Sequence, residues 1–164
     1  MLNRRCAASF TAALVLLLGS AIAQAQSYPS KPIRWVVPYP SGGGSDFLAR
    51  TIGQQLATQI GQSVLVDNKP GGNTAIAASD VARSTPDGYT ILSADNGTMV
   101  FNSALYAKLS YNPEKDLTPV TLMGKFPMVL VVAQNSDVKD AKDFIARAKA
   151  APGRISYGSA GAGS

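Results

Sequence analysis

The sequence contains no histidine and a single cysteine, Cys6. Without histidine, neither a Ser-His-Asp nor a Cys-His arrangement can be assembled from these 164 residues. No G-x-S-x-G nucleophile elbow is present either. With imidazole absent and thiol limited to Cys6, carboxylates are the only strong metal ligands left, and they are dispersed along the chain. No metal or cofactor is expected, and acid–base catalysis would need a carboxylate pair such as Asp46 and Asp95 brought into one cleft, which sequence alone does not place. Charge is also scarce: 15% of residues are Asp, Glu, Lys or Arg, against about 25% in an ordinary globular chain. The Lys and Arg residues stand singly among acidic ones, as with Lys139, Lys142, Arg147 and Lys149 beside Asp140 and Asp143. A nucleic-acid binder carries a basic stripe with aromatic platforms, so nucleic acid is not an expected partner.

What is present begins with a secretory leader. Arg4 and Arg5 form a positive n-region, and Ala12 to Leu18 an apolar core. That core is shorter than the ~20 residues a membrane-spanning helix needs. Two A-x-A sites follow, Ala21-Ile22-Ala23 and Ala23-Gln24-Ala25, predicting cleavage before Gln24 or Gln26. Residues 1–25 are read as a signal peptide. Its removal takes away Cys6, which lies on the wrong side of the apolar core for a lipoprotein site, and leaves no thiol chemistry. The net charge of +5 falls to about +3, with 13 basic residues against 10 acidic ones.

Beyond the leader, short β-branched runs alternate with amphipathic segments. Strands are predicted at Ile33–Val37, Val64–Asp67 and Tyr89–Ser93, with helices at Asp46–Ile60 and about Thr74–Arg83. Gly61 is a natural left-handed helix cap, and Asn73 can cap the second helix. This βαβαβ order predicts a parallel sheet with helices on its faces. Farther on, a short helix is expected from Thr98 to Leu105, a strand at Met128–Ala133 and a helix at Ala141–Ala150 capped by Asp140. A last short strand, Ile155–Tyr157, leads into the glycine-rich 158–164.

The most distinctive segment is Pro32–Arg50, PIRWVVPYPSGGGSDFLAR. A strand feeding a glycine-rich turn and then a helix start leaves backbone N–H groups aimed outward, and the helix dipole favours an anion there. The loop lacks the lysine of a P-loop, and Phe47 stands where G-x-G-x-x-G needs its third glycine. A free anion fits it better than a nucleotide, although a plain tight turn would use the same residues. Asp46 is either a ligand-facing group or a first-turn carboxylate favoured by the dipole. Asn96, Gly97 and Thr98 follow the third strand and serve equally as caps or as a second wall of a crevice at the strand ends.

Four stretches together, VVPYPSGGGSDFLAR, VDNKPGGNTAIAASDVARSTPDGYTIL, NSALYAKLSYNPEKDLTPVTL and PGRISYGSAGAGS, resemble the substrate-binding proteins of tripartite tricarboxylate transporters, the Bug family. The resemblance runs from about Tyr28 to the end. It implies an α/β fold of the type II periplasmic-binding-protein kind, two-lobed, here with an incomplete first lobe and only the start of the second. Residues 26–127 would be the N-terminal part of lobe 1, and residues 128–164 a crossover strand and the beginning of lobe 2. Family members are roughly twice this length. It also implies a periplasmic, monomeric protein that captures a small carboxylate or related polar solute for membrane permease subunits, without catalysis. The expected ligand contacts are Tyr39, Ser41, Gly42, Gly43, Gly44, Ser45 and Asp46 in the first loop, Asn96, Gly97 and Thr98 after the third strand, and Ser159, Ala160 and Gly161 in the last. Alternatives are a sensory binding protein for a membrane kinase, a secreted α/β enzyme whose catalytic residues lie farther along, and a nonfunctional truncation.

Overall fold

The computed structural model describes residues 27–127 and 129–158. The expected leader, Cys6, Met128 and the expected ligand residues Ser159, Ala160 and Gly161 lie outside the described residues.

Three strands form one parallel sheet in the order β2-β1-β3: β1 (Ile33–Val37), β2 (Val64–Asn68) and β3 (Thr90–Leu92). β1 is central, with Trp35 opposite Val66 on one side and Ile91 on the other. Its near-continuous apolar sequence suits a strand covered on both faces, and Ile33, Trp35, Val36 and Val37 are all buried. Burying a Val or Ile side chain fully contributes about 1.5–3 kcal/mol.

Helix α1 (Gly44–Ile60) connects β1 to β2, and α2 (Ala75–Ala82) connects β2 to β3. The two crossovers run in opposite directions along the sheet, so the right-handed rule puts their helices on opposite faces. The side chains of β1 agree. Trp35 and Val37 pack on Ala49 of α1, whereas Arg34 reaches the other way to Asp80 of α2. Arg34 also pairs with Asp67 of β2 at 2.9 Å, and Lys69 pairs with Asp80 at 3.1 Å. Burial pushes the Asp80 pKa up, but Arg34 and Lys69 outweigh it and hold the carboxyl below its ordinary value. Helix α1 sits close to the sheet because Gly53 has no side chain: a Cβ there would stand 3.2 Å from Cγ1 of Val64. It ends at Gly61, whose φ of 67° is the expected left-handed cap.

The later chain departs from expectation in four places. Asn73 does not cap α2; its side chain bonds Asn102, 2.7 Å away, and Thr74 stands at the cap position. The helix expected at Thr98–Leu105 is a π-helical turn, Gly97–Phe101, followed by one α-helical turn, α3 (Asn102–Leu105). Residues 129–133 form no strand and pair with none among the described residues; Val129 and Val131 are 73% and 78% exposed. Ile155–Tyr157 likewise is not a strand. β-Propensity becomes a strand only where a ladder and a packing face are supplied. Helix α4 (Ala141–Ala150) does form as read, with Asp140 accepting from the Asp143 N–H at 2.8 Å.

Candidate functional site

All three strands point the same way, so the loops after Val37, Asn68 and Leu92 meet at one edge of the sheet. The first of these loops is held by a carboxylate. Asp46, in the first turn of α1, is only 3% exposed. Its Oδ2 accepts from the Gly42 N–H at 2.8 Å and from Arg50 Nε at 3.0 Å, and its Oδ1 accepts from Asn68 Nδ2 at 3.0 Å. Asn68 Nδ2 also donates to the Tyr39 carbonyl, and Arg50 donates to Asn68 Oδ1 at 2.9 Å. The Arg50 bond, aided by the Gly42 N–H, lowers the Asp46 pKa to about 2. Asp46 is thus a clamp that fixes the loop, with both oxygens engaged inside the protein.

The clamp leaves the end of α1 open. Gly42 turns the chain with φ +87°, a conformation that glycine adopts without Cβ strain. Gly43 stands at the cap position and supplies no side-chain oxygen. The first backbone bond of the helix runs from Phe47 N–H to Gly43 O. The N–H groups of Gly44, Ser45 and Asp46 therefore have no acceptor among the described residues. Uncapped donors at the positive end of a 17-residue helix are suited to a carboxylate. Ser41, Gly42, Gly43 and Gly44 are exposed and Ser45 is half-buried, so this end is open to solvent.

A second polar network joins the three loops. The Tyr39 hydroxyl donates to Asp95 Oδ2. Asp95 Oδ1 accepts from the Thr98 N–H at 2.8 Å. Thr98 Oγ1 lies 2.8 Å from both Asp95 Oδ1 and Thr74 Oγ1. Its single proton faces both acceptors, the Thr74 hydroxyl and the Asp95 carboxylate, of which the charged one is the stronger. Asn102 Nδ2 donates to Asn73 O at 2.8 Å and lies 3.3 Å from Thr74 Oγ1, and Tyr111 OH donates to Thr98 O at 2.5 Å. Thr98 and Asn102 are fully buried. Thr74 has φ 70°, left-handed for a β-branched residue, a conformation costing roughly 1–3 kcal/mol that persists only when its surroundings over-determine it. Burial, then the Asp95 bond, raises the Tyr39 pKa well above its ordinary value.

Of the expected residues, Tyr39 and Ser41–Asp46 thus lie on one loop and helix start, and Tyr39 is tied to the Asp95–Thr98 turn. Asn96 is exposed there, while Gly97 and Thr98 are buried beneath it. Sequence reasoning passed over Arg50, Asn68, Thr74 and Asn102. Asn68 carried a signal in its position at the C-terminal end of β2.

Residues 48–164 match the family model described as the tripartite tricarboxylate transporter family receptor. The chain belongs to this family. It is 39% identical over 152 residues to a UPF0065 protein in the tcbD–tcbE intergenic region of Pseudomonas sp. strain P51, covering 92% of this chain and 45% of that protein. Among solved structures it is similar to R. palustris Rpa4515 with adipate, with TM-score 0.72 and 37% identity over 76% of this chain and 42% of that one. It is also similar to MatC from Rhodopseudomonas palustris with bound malate, with TM-score 0.70 and 34% identity over 74% and 42%. The chain spans less than half the length of each of these three proteins. The expected family and the expected α/β fold with a parallel sheet are both found.

Proposed function

We propose that this receptor-family chain supplies one jaw of a periplasmic trap for a small carboxylate, which the whole protein would hand to the membrane permease of a tripartite transporter. The observation that carries the proposal is the uncapped start of α1. Three backbone N–H groups there have no protein acceptor among the described residues, while the adjacent acid, Asp46, is clamped and paired with Arg50. An unpaired Asp46 would repel an incoming carboxylate; the Arg50 partner offsets that charge and preserves the field of the helix end. Adipate and malate in the two solved relatives support a dicarboxylate as the solute class. We take residues 128–164 as the beginning of the opposing lobe, with Ser159, Ala160 and Gly161 as its contribution to the ligand. Catalysis is no part of the proposed role.

Titration calorimetry of the chain with C4–C6 dicarboxylates and with the matching diamides tests the proposal. Saturable binding of the acids and none of the diamides is expected, because N–H donors at a helix start reward negative charge. Equal binding of acid and diamide would overturn it.

A further inference from the structure

The glycine at the head of α1 has a close neighbour. A Cβ on Gly44 would lie 3.2 Å from Cε1 and 3.4 Å from Cζ of the Phe126 ring. The ring therefore stands against the first residue of α1, whose N–H is one of the three open donors. Phe126 is not a core residue, being 63% exposed. The backbone leading to it is nonetheless anchored: Met123 packs on the Trp35–Val37–Ala49 cluster, and a Cβ on Gly124 would be 3.4 Å from Leu48 Cδ1 of α1. An exposed phenyl ring is thereby held beside the donors of the candidate site.

We infer that Phe126 is the specificity wall of this site, selecting carboxylates whose neighbouring carbon is a methylene over those carrying a hydroxyl there. The inference rests on the carboxylate role proposed above. With a carboxylate on the Gly44 and Ser45 N–H groups, the next carbon of the solute lies against the ring. A methylene placed there loses water from apolar surface on both partners, which favours binding. A hydroxyl placed there loses its water and gains no hydrogen-bond partner from a phenyl ring. The preference should reach about tenfold or more in Kd, since a single uncompensated hydroxyl is a penalty of that order.

The test is calorimetry of the full chain and its Phe126→Ser and Phe126→Leu variants with succinate and tartrate, which differ by a hydroxyl on the carbon next to each carboxylate. The unaltered chain should bind succinate at least about tenfold tighter than tartrate, which presents a hydroxyl to the ring whichever carboxylate is bound. Phe126→Ser should bring the ratio to within about twofold, because a hydroxyl in the wall gives the tartrate hydroxyl a partner. Phe126→Leu, still apolar, should keep most of the preference. An unchanged ratio in Phe126→Ser, or no preference in the unaltered chain, would overturn the wall while leaving the carboxylate site standing. Failure of both acids to bind the unaltered chain would remove the site and the wall with it.

Discussion

Tyr39→Phe removes one hydroxyl and with it the bond that ties the loop after β1 to the turn after β3. The lost interaction is an O–H donated to a carboxylate, a class worth about 1.5–3 kcal/mol net. Two features set the loss at the low end. Tyr39 is only partly buried, so water screens the pair. Asp95 also keeps the Thr98 N–H and hydroxyl, each at 2.8 Å, and is not left bare. A loss of about 1.5 kcal/mol is expected, slightly more than tenfold in the folding equilibrium. Urea unfolding at pH 7 should show it as a midpoint lower by about 0.5–1.5 M with an unchanged slope. The pH dependence gives a second check. The Tyr39 pKa is raised in the folded chain, so the folded state holds this proton more firmly than the unfolded state. Its contribution is complete below the unfolded value near 10 and is lost as pH rises above that toward the folded value. The gap between the two proteins should therefore narrow from pH 9 to pH 11. A midpoint change under about 0.2 M at pH 7, well below the range that bond strength implies, would refute the latch. So would a gap that stays constant to pH 11.

Two further outcomes follow from the first loop. Gly42→Ala should destabilise by about 1–2 kcal/mol, because φ is +87° and a Cβ there meets nothing within 4 Å, leaving backbone strain as the only cost. Gly42→Asn should cost less, since Asn tolerates the left-handed region; equal urea midpoints for both variants would contradict this. Asp46 has a lowered pKa, so its stabilisation is present above the ordinary carboxylate value near 4 and is lost as pH falls through the folded value of about 2. Thermal midpoints of the unaltered chain should fall between pH 4 and pH 2 more steeply than those of Asp46→Asn. Parallel profiles would count against the clamp.

The elements legible in the sequence were those set by local chemistry. Ile33–Val37 is a β-branched, apolar strand wherever it finds neighbours, and Gly61 ends α1 because only its own φ is needed there. The parallel sheet followed from alternation of strand and helix. What stayed hidden depended on partners distant in sequence. Asn73 could cap a helix locally, but Asn102 takes its side chain instead. The buried role of Asp46 depends on Asn68, at the end of another strand, and the crowding at Gly44 depends on Phe126. The 129–133 run has strand composition, but composition does not supply a ladder.

The most direct test of the carboxylate jaw is an amide-resolved NMR titration of the ¹⁵N-labelled chain with adipate and with malate. The backbone signals of Gly44, Ser45 and Asp46 should move downfield together and saturate, as N–H groups do when they gain a charged acceptor. Binding that leaves those three amides unmoved, or no saturable change at any position, would contradict the account.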